Sequence, residues 1–341
     1  MKKKPIVISM GEPSGINSEI LVKTWIDRKK EKLLPFFVVD DKSKIEFIID
    51  FFKLKAKIKL IRNPSETYEI FNNYLPVYDL ENKIKFKLGS PDKKNSKFII
   101  DSLKTSFNFV KERQASAIIT LPICKKTMKQ YGFNYNGQTE YMGFLSRKFI
   151  NYSSNEIMIL TTTQPVDFGK NLIIGLATTH IPLKKVFNKL KQEELKQKII
   201  TFNNSLKTIW KIKKPFIGVL AINPHAGEGG LIGDEEQKII LPIIKDLKAK
   251  KINLHGPLSG DTCFFKNNRK NYDGMFCMYH DQGLSPIKTI DFFNSVNVTG
   301  GLPILRVSPD HGPAFDIAKN NVAKTDSLIA CLKFIEKYSW T

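Results

Sequence analysis

Apolar residues along this chain come in two alternating textures. One is the short unbroken run: PIVISM (5–10), FFVVD (36–40), KIKLI (57–61), AIITLP (117–122) and EIMILTTT (156–163). Runs of this length, rich in β-branched residues and bounded by Gly, Pro or polar residues, predict buried strands. NLIIGLATTH (171–180), PFIGVLAINPH (215–225) and GMFCMYH (274–280) belong to the same class, each predicted to place a histidine at its end. The other texture repeats every three to four residues and predicts amphipathic helices over 45–55, 92–114, 181–190, 191–212 and 325–338. Between the first strand and the first helix lies GEPSGINSEI (11–20), a turn followed by a helix start with Asn17 or Ser18 as the cap. That turn lacks both the Lys-Ser/Thr of a P-loop and a G-x-G-x-x-G pattern, so it carries little phosphate-loop signal. Strands alternating with helices indicate an α/β fold with a largely parallel sheet. No repeat or low-complexity linker divides the chain; its N- and C-terminal parts are expected to build one subdomain and the middle the other.

Composition narrows the class. The length of 341 residues allows two α/β subdomains with a sizeable core, and no apolar run approaches the span of a membrane helix. The basic start MKKKPIVISM passes straight into a strand and a Gly-Pro turn, unlike a signal peptide. A formal charge of +21 raises nucleic acid as a partner, but only six of the 54 basic residues are arginine. The lysines are scattered along helical segments instead of being gathered with aromatics, which fits a solvated surface better. No nucleic-acid or membrane partner is expected, although the charge favours small anions such as phosphate esters. Cys124, Cys263, Cys277 and Cys331 are far apart and show no paired spacing, pointing to a reducing compartment, by default the cytoplasm.

Candidate chemistry gathers at strand ends, where α/β folds place ligands. His180, His225 and His280 follow apolar runs in the contexts TTHIP, NPHAGEGG and MYHDQG. A lone histidine there is commonly a plain surface residue; three of the chain's five in equivalent places suit a divalent first-row ion with an open position. Arg306 sits inside the apolar run GGLPILRVS, where it needs either an acidic partner or an anionic ligand. Asp261 and Asp281 could orient a histidine or take a proton, or be ordinary turn residues.

Eight stretches in order, MGEPSGINSEI (10–20), ITLPICKK (119–126), GQTEYM (137–142), TTHIPL (178–183), INPHAGEGGLIGDEE (222–236), GPLSGDT (256–262), MYHDQG (278–283) and VNVTGGLPILRVSPDHGPAFDIA (296–318), resemble the 4-hydroxythreonine-4-phosphate dehydrogenase family of vitamin B6 biosynthesis. The resemblance implies a two-domain isocitrate/isopropylmalate dehydrogenase-like fold and a homodimer, with the active site between subdomains near the dimer interface. It implies His180, His225 and His280 as ligands of one divalent ion (Zn, Mg or Co) shared by two subunits. It implies Gln138, Thr139, Lys288, Asn297 and Arg306 as contacts to a small phosphorylated substrate; beside them, residue chemistry makes Asp261, Asp281 and Lys125 the candidate catalytic groups. HGPAFDIA (311–318) resembles the adenosine-binding loop of isopropylmalate dehydrogenases, implying NAD held at His311, Gly312 and Asp316. The alternative reading of Asp316 is a helix cap.

Four departures from the family pattern, over five positions, stand out: Gln138 for His, Glu12 for Asp, Asn17-Ser18 for Gly-Pro, and Leu121 for Gly or Ala. Gln138 touches the implied substrate site. A histidine there could donate as a cation, whereas glutamine offers a neutral amide. That leaves a dehydrogenase of a four-carbon sugar-acid phosphate, threonate or erythronate 4-phosphate, as the alternative activity.

Overall fold

The computed structural model describes residues 4–81, 83–153 and 155–339. The chain divides into two compact units, one running to Tyr152 and resuming at Pro303, the other spanning Ser153–Leu302.

The first unit carries strands β1 (Ile6–Ser9), β2 (Phe36–Asp40), β3 (Ile58–Leu60), β4 (Leu75–Asp79) and β5 (Ile118–Thr120). The second holds β6 (Ile157–Thr162), β7 (Ile173–Leu176), β8 (Phe216–Leu220), β9 (Asn253–Leu258), β10 (Gly274–Cys277) and β11 (Ser295–Gly300); β12 (Arg306–Pro309) returns to the first. In the first unit the order is β3-β4-β2-β1-β5-β12, every pair parallel. Every residue of β1, β2, β5 and β12 is buried, as parallel strands covered on both faces require. The second unit runs β11-β6-β7-β10-β8-β9. Here β7, β10, β8 and β9 are parallel, but β6 is antiparallel to both β7 and β11. The sheets are thus largely parallel, with one reversed strand that alternation alone did not disclose.

Helix Ser96–Lys111 buries Ile99, Leu103, Phe107 and Val110 at helical spacing, and its Ser102 hydroxyl accepts from Met10 N (2.9 Å) and donates to Val39 O (2.7 Å). Helix Asp326–Tyr338 buries Leu328, Cys331, Leu332 and Ile335 in the same way and packs on β12. The predicted cap at the first helix is corrected. Asn17–Ile26 is capped by Ile16 without a side-chain bond. Asn17 Nδ2 instead bridges Glu12 O (3.0 Å) and Pro122 O (2.9 Å), and Ser18 Oγ accepts from the buried Lys44 Nζ (2.8 Å). The turn before this helix lies close to segment 311–316: Ile16 N donates to Pro313 O (3.0 Å). A Cβ on Gly15 would lie 2.4 Å from that oxygen, so only glycine permits the approach.

Candidate functional site

In the first unit, Arg306 opens β12 and stands in register with Ile118 of β5. Its side chain is 2% exposed and reaches along the sheet to Thr120. Thr120 Oγ1 accepts from Arg306 Nε (3.0 Å) and Nη2 (2.6 Å). Helix Gln138–Ile150 brings up the other partners: Gln138 Oε1 accepts from Nη2 at 3.1 Å and Thr139 Oγ1 from Nη1 at 3.3 Å. Burial pushes the guanidinium pKa down to about 10, with Glu140 opposing, so it stays charged at neutral pH. Lys125 begins helix Lys125–Tyr131; although its side chain reaches solvent, desolvation lowers its pKa, against an opposing effect of Glu140. No helix starts between Asp316 and Thr325, so Asp316 is not a helix cap; it is exposed in a turn, and His311 Nδ1 lies 2.8 Å from Gly312 O.

In the second unit, two histidines meet for a reason visible in the backbone. Past β7 and β10 the two strands keep pairing, with Ala177 N donating to Cys277 O (2.8 Å) and Thr178 N to Met278 O (3.2 Å). The chains then part, leaving the rings of His180 and His280 5.2 Å apart between centroids. The expected strand ending at His280 is corrected: β10 stops at Cys277, and His280 is the first residue of helix His280–Ile290. His280 Nδ1 lies 2.7 Å from Asp281 Oδ1.

His225 belongs to an unusual turn. From His225 to Gly229 five successive residues hold φ between 42 and 77°. Glu236 anchors it, its Oε1 accepting from the N–H of Ile222 and of Asn223 at 2.8 Å and its Oε2 from Asn223 Nδ2 at 2.9 Å. Burial would raise the Glu236 pKa, but these donors outweigh it and the net direction is down. His225 Nδ1 lies 3.8 Å from Asp261 Oδ2. Asp261 is held below the usual carboxylate range, mainly by the Ser259 hydroxyl (2.5 Å), with His225 contributing.

Metal ligands of proteins commonly pair one ring nitrogen with a carboxylate and turn the other to the ion. His280 with Asp281 matches that arrangement at 2.7 Å, while His225 and Asp261, 3.8 Å apart, are a charge contact longer than a hydrogen bond. His180 meets His280 ring to ring, and no cluster of three metal-ligating side chains occurs among the described residues of this chain. Lys288, in the last turn of its helix, donates to Ser295 Oγ (3.0 Å) and Phe292 O (3.3 Å). Asn297 lies on the same face of β11 as Ser295, and its Oδ1 is buried without a hydrogen-bond partner. An orphaned buried acceptor of this kind costs about 1–3 kcal/mol unless a ligand donates to it.

Residues 32–335 match the family model described as pyridoxal phosphate biosynthetic protein PdxA. The chain belongs to the PdxA family. Among PdxA relatives, the 4-hydroxythreonine-4-phosphate dehydrogenase of Zymomonas mobilis is 36% identical over 96% of this chain and 94% of its own length. That of Sulfurihydrogenibium sp. is also 36% identical, covering 96% of each. The crystal structure of the Klebsiella pneumoniae 4-hydroxythreonine-4-phosphate dehydrogenase superposes with a TM-score of 0.84 at 29% identity, covering 98% of this chain and 99% of that one. The PdxA architecture is therefore the α/β fold described above. Two PdxA side chains of this chain, Thr120 and Glu236, were not singled out from sequence. Each lies within a stretch shared with the family, but only the fold reveals what it holds.

Proposed function

We propose that this chain oxidises 4-phospho-hydroxythreonine with NAD, in a metal-dependent reaction serving pyridoxal phosphate biosynthesis. The product is a β-keto acid that loses CO₂ to give 3-amino-2-oxopropyl phosphate. The observation that carries this reading is the PdxA family match across residues 32–335.

The side chains support it chemically. Arg306 presents a permanent positive charge of the kind that recognises phosphate, with Thr139 beside it and Gln138 behind it. Lys288 and Asn297 would supply a second charge and an acceptor. His180, His225 and His280 would hold the divalent ion, in a homodimer that shares it. When bound, such an ion supplies Lewis acidity that lowers the pKa of the substrate hydroxyl. Asp281 is within hydrogen-bond reach of His280 and would orient its imidazole, with Asp261 a charge neighbour of His225; among the candidate bases, desolvation moves the Lys125 pKa toward neutrality. His311 and Gly312 would lie along the adenosine end of NAD. Asp316, exposed in its turn, suits a ribose 2′-hydroxyl and repels a 2′-phosphate.

The test is NADH formation by purified protein with a divalent ion and, separately, 4-phospho-hydroxythreonine, threonate 4-phosphate and erythronate 4-phosphate. The first should be turned over with the highest kcat/KM, and NAD should be preferred to NADP. Because Gln138 departs from the family pattern, a sugar-acid phosphate is the second candidate, and preference for it would replace the substrate assignment. A large preference for NADP would refute the role of Asp316.

A further inference from the structure

Position 138 has hydrogen-bonding requirements that few side chains meet. Gln138 is 9% exposed. Its Oε1 accepts from the Thr120 hydroxyl (3.1 Å) as well as from Arg306 Nη2 (3.1 Å), and its Nε2 donates to Leu121 O (3.0 Å). Flipping the amide would set NH₂ against the Arg306 donor and oxygen against a carbonyl, so the network fixes its orientation. Two acceptances and one donation are needed here. A neutral imidazole accepts once and donates once, and an imidazolium accepts nothing. Thr120 is fully buried and equally committed, accepting twice from Arg306 and giving its one proton to Gln138. The Nε–Nη2 edge of the guanidinium is therefore turned inward, and its Nη1 side lies next to Thr139.

We propose that Thr120 and Gln138 are positioning residues for Arg306, and that Gln138 acts through that guanidinium instead of touching the substrate. The proposal rests on the reading of Arg306 as the phosphate-binding group. It assigns a role to Thr120 and makes Gln138 the feature that frees phosphate binding from titration by an imidazole.

The experiment compares wild type with Thr120→Val, Thr120→Ser, Gln138→Met and Gln138→His. It measures KM and kcat for 4-phospho-hydroxythreonine from pH 5.5 to 8.5, roughly bracketing the imidazole range, and calorimetric Kd for inorganic phosphate without turnover. Thr120→Val removes two acceptances and should raise both KM and the phosphate Kd about tenfold, with kcat within about twofold. Thr120→Ser, which keeps the hydroxyl, should recover most of this, and Gln138→Met should behave like Thr120→Val. In Gln138→His, KM should climb as pH falls through the imidazole range, because the imidazolium repels Arg306.

Unchanged KM and phosphate Kd in a Thr120→Val protein that melts like wild type would overturn the proposal. So would a Gln138→His variant whose KM falls on acidification, since that marks direct contact with phosphate. Should Thr120→Val fail to fold, the pH profile of Gln138→His taken as a ratio to that of wild type decides alone, since the substrate phosphate, titrating at about pH 6, affects both alike. A wild type that binds phosphate but oxidises none of the phosphorylated alcohols overturns the dehydrogenase reading; the Thr120→Val phosphate Kd then still decides the positioning role. A wild type that binds no phosphate overturns the proposal itself.

Discussion

Lys44 is a buried cation of the first unit with two committed acceptors. Its ammonium and the Asp40 carboxylate are both fully buried and 2.8 Å apart, with Ser18 Oγ as a further acceptor. A proline at position 18, as in the family pattern, offers no such acceptor, so Ser18 belongs with Lys44. Lys44→Met leaves Asp40 buried without its counter-charge and should cost roughly 3–5 kcal/mol in chemical denaturation. Adding Asp40→Leu to that variant should recover much of the loss. Nothing in KSKIEFIID announces this pair, because a lysine in an amphipathic helix reads as solvated. Lys125 invites a different measurement. Its pKa lies below the ordinary 10.5, through desolvation. If it is the base, its neutral form accumulates at a lower pH than in a free lysine, and kcat/KM rises with pH through that range. Lys125→Met should remove this limb and lower kcat by about a hundredfold or more; a profile that keeps the limb would remove Lys125 from the chemistry.

Among the elements, the left-handed turn at His225 shows how local strain is carried. His225, Ala226 and Glu228 hold φ of 50, 56 and 42°, where a Cβ crowds its own carbonyl. Ala226→Gly should therefore stabilise the protein by roughly 1 kcal/mol, read from a shift in denaturation midpoint. Strands were legible where both faces are buried: FFVVD corresponds to β2 residue for residue. They were not where polarity breaks the run. β4 (LPVYD) and β9 (NLHGPL) went unassigned, β9 because its residues at the sheet edge are mostly exposed or half-buried. The helix at His280 was hidden for another reason. HDQGLSPIK contains Gly283 and Pro286, both poor interior helix residues. It persists because it packs on β6, β7 and β10, and Gly283 is what lets it approach: a Cβ there would lie 2.8 Å from Ile174 and Leu176 side-chain atoms. The three candidate histidines stood out in sequence as ends of apolar runs. Glu236, which holds one of their loops, did not, since it acts only through the fold.

For the whole molecule, the clearest expectation is metal dependence. Treatment with a chelator should abolish NADH formation, a divalent ion should restore it, and His225→Ala should lose bound metal together with activity; full turnover by metal-free protein would refute it. The scattered positive charge, +21 in all, should also make kcat/KM for phosphorylated substrates fall as salt rises. The division of the chain has a consequence for its birth. The second unit is an insertion lying wholly between Ser153 and Leu302, whereas the first is split, with β12 arriving after it. Arg306 lies 186 residues beyond Thr120. At ribosomal speeds of about 5–20 residues per second, Thr120 and Gln138 wait on the order of ten to forty seconds for the guanidinium they enclose. A nascent chain stalled at Leu302 already carries every strand of the inserted unit, while the sheet of the first still has an open edge at β5. Such an edge is a template for wrong pairing, so the residue that would read the substrate's phosphate is carried by the strand that closes this sheet last.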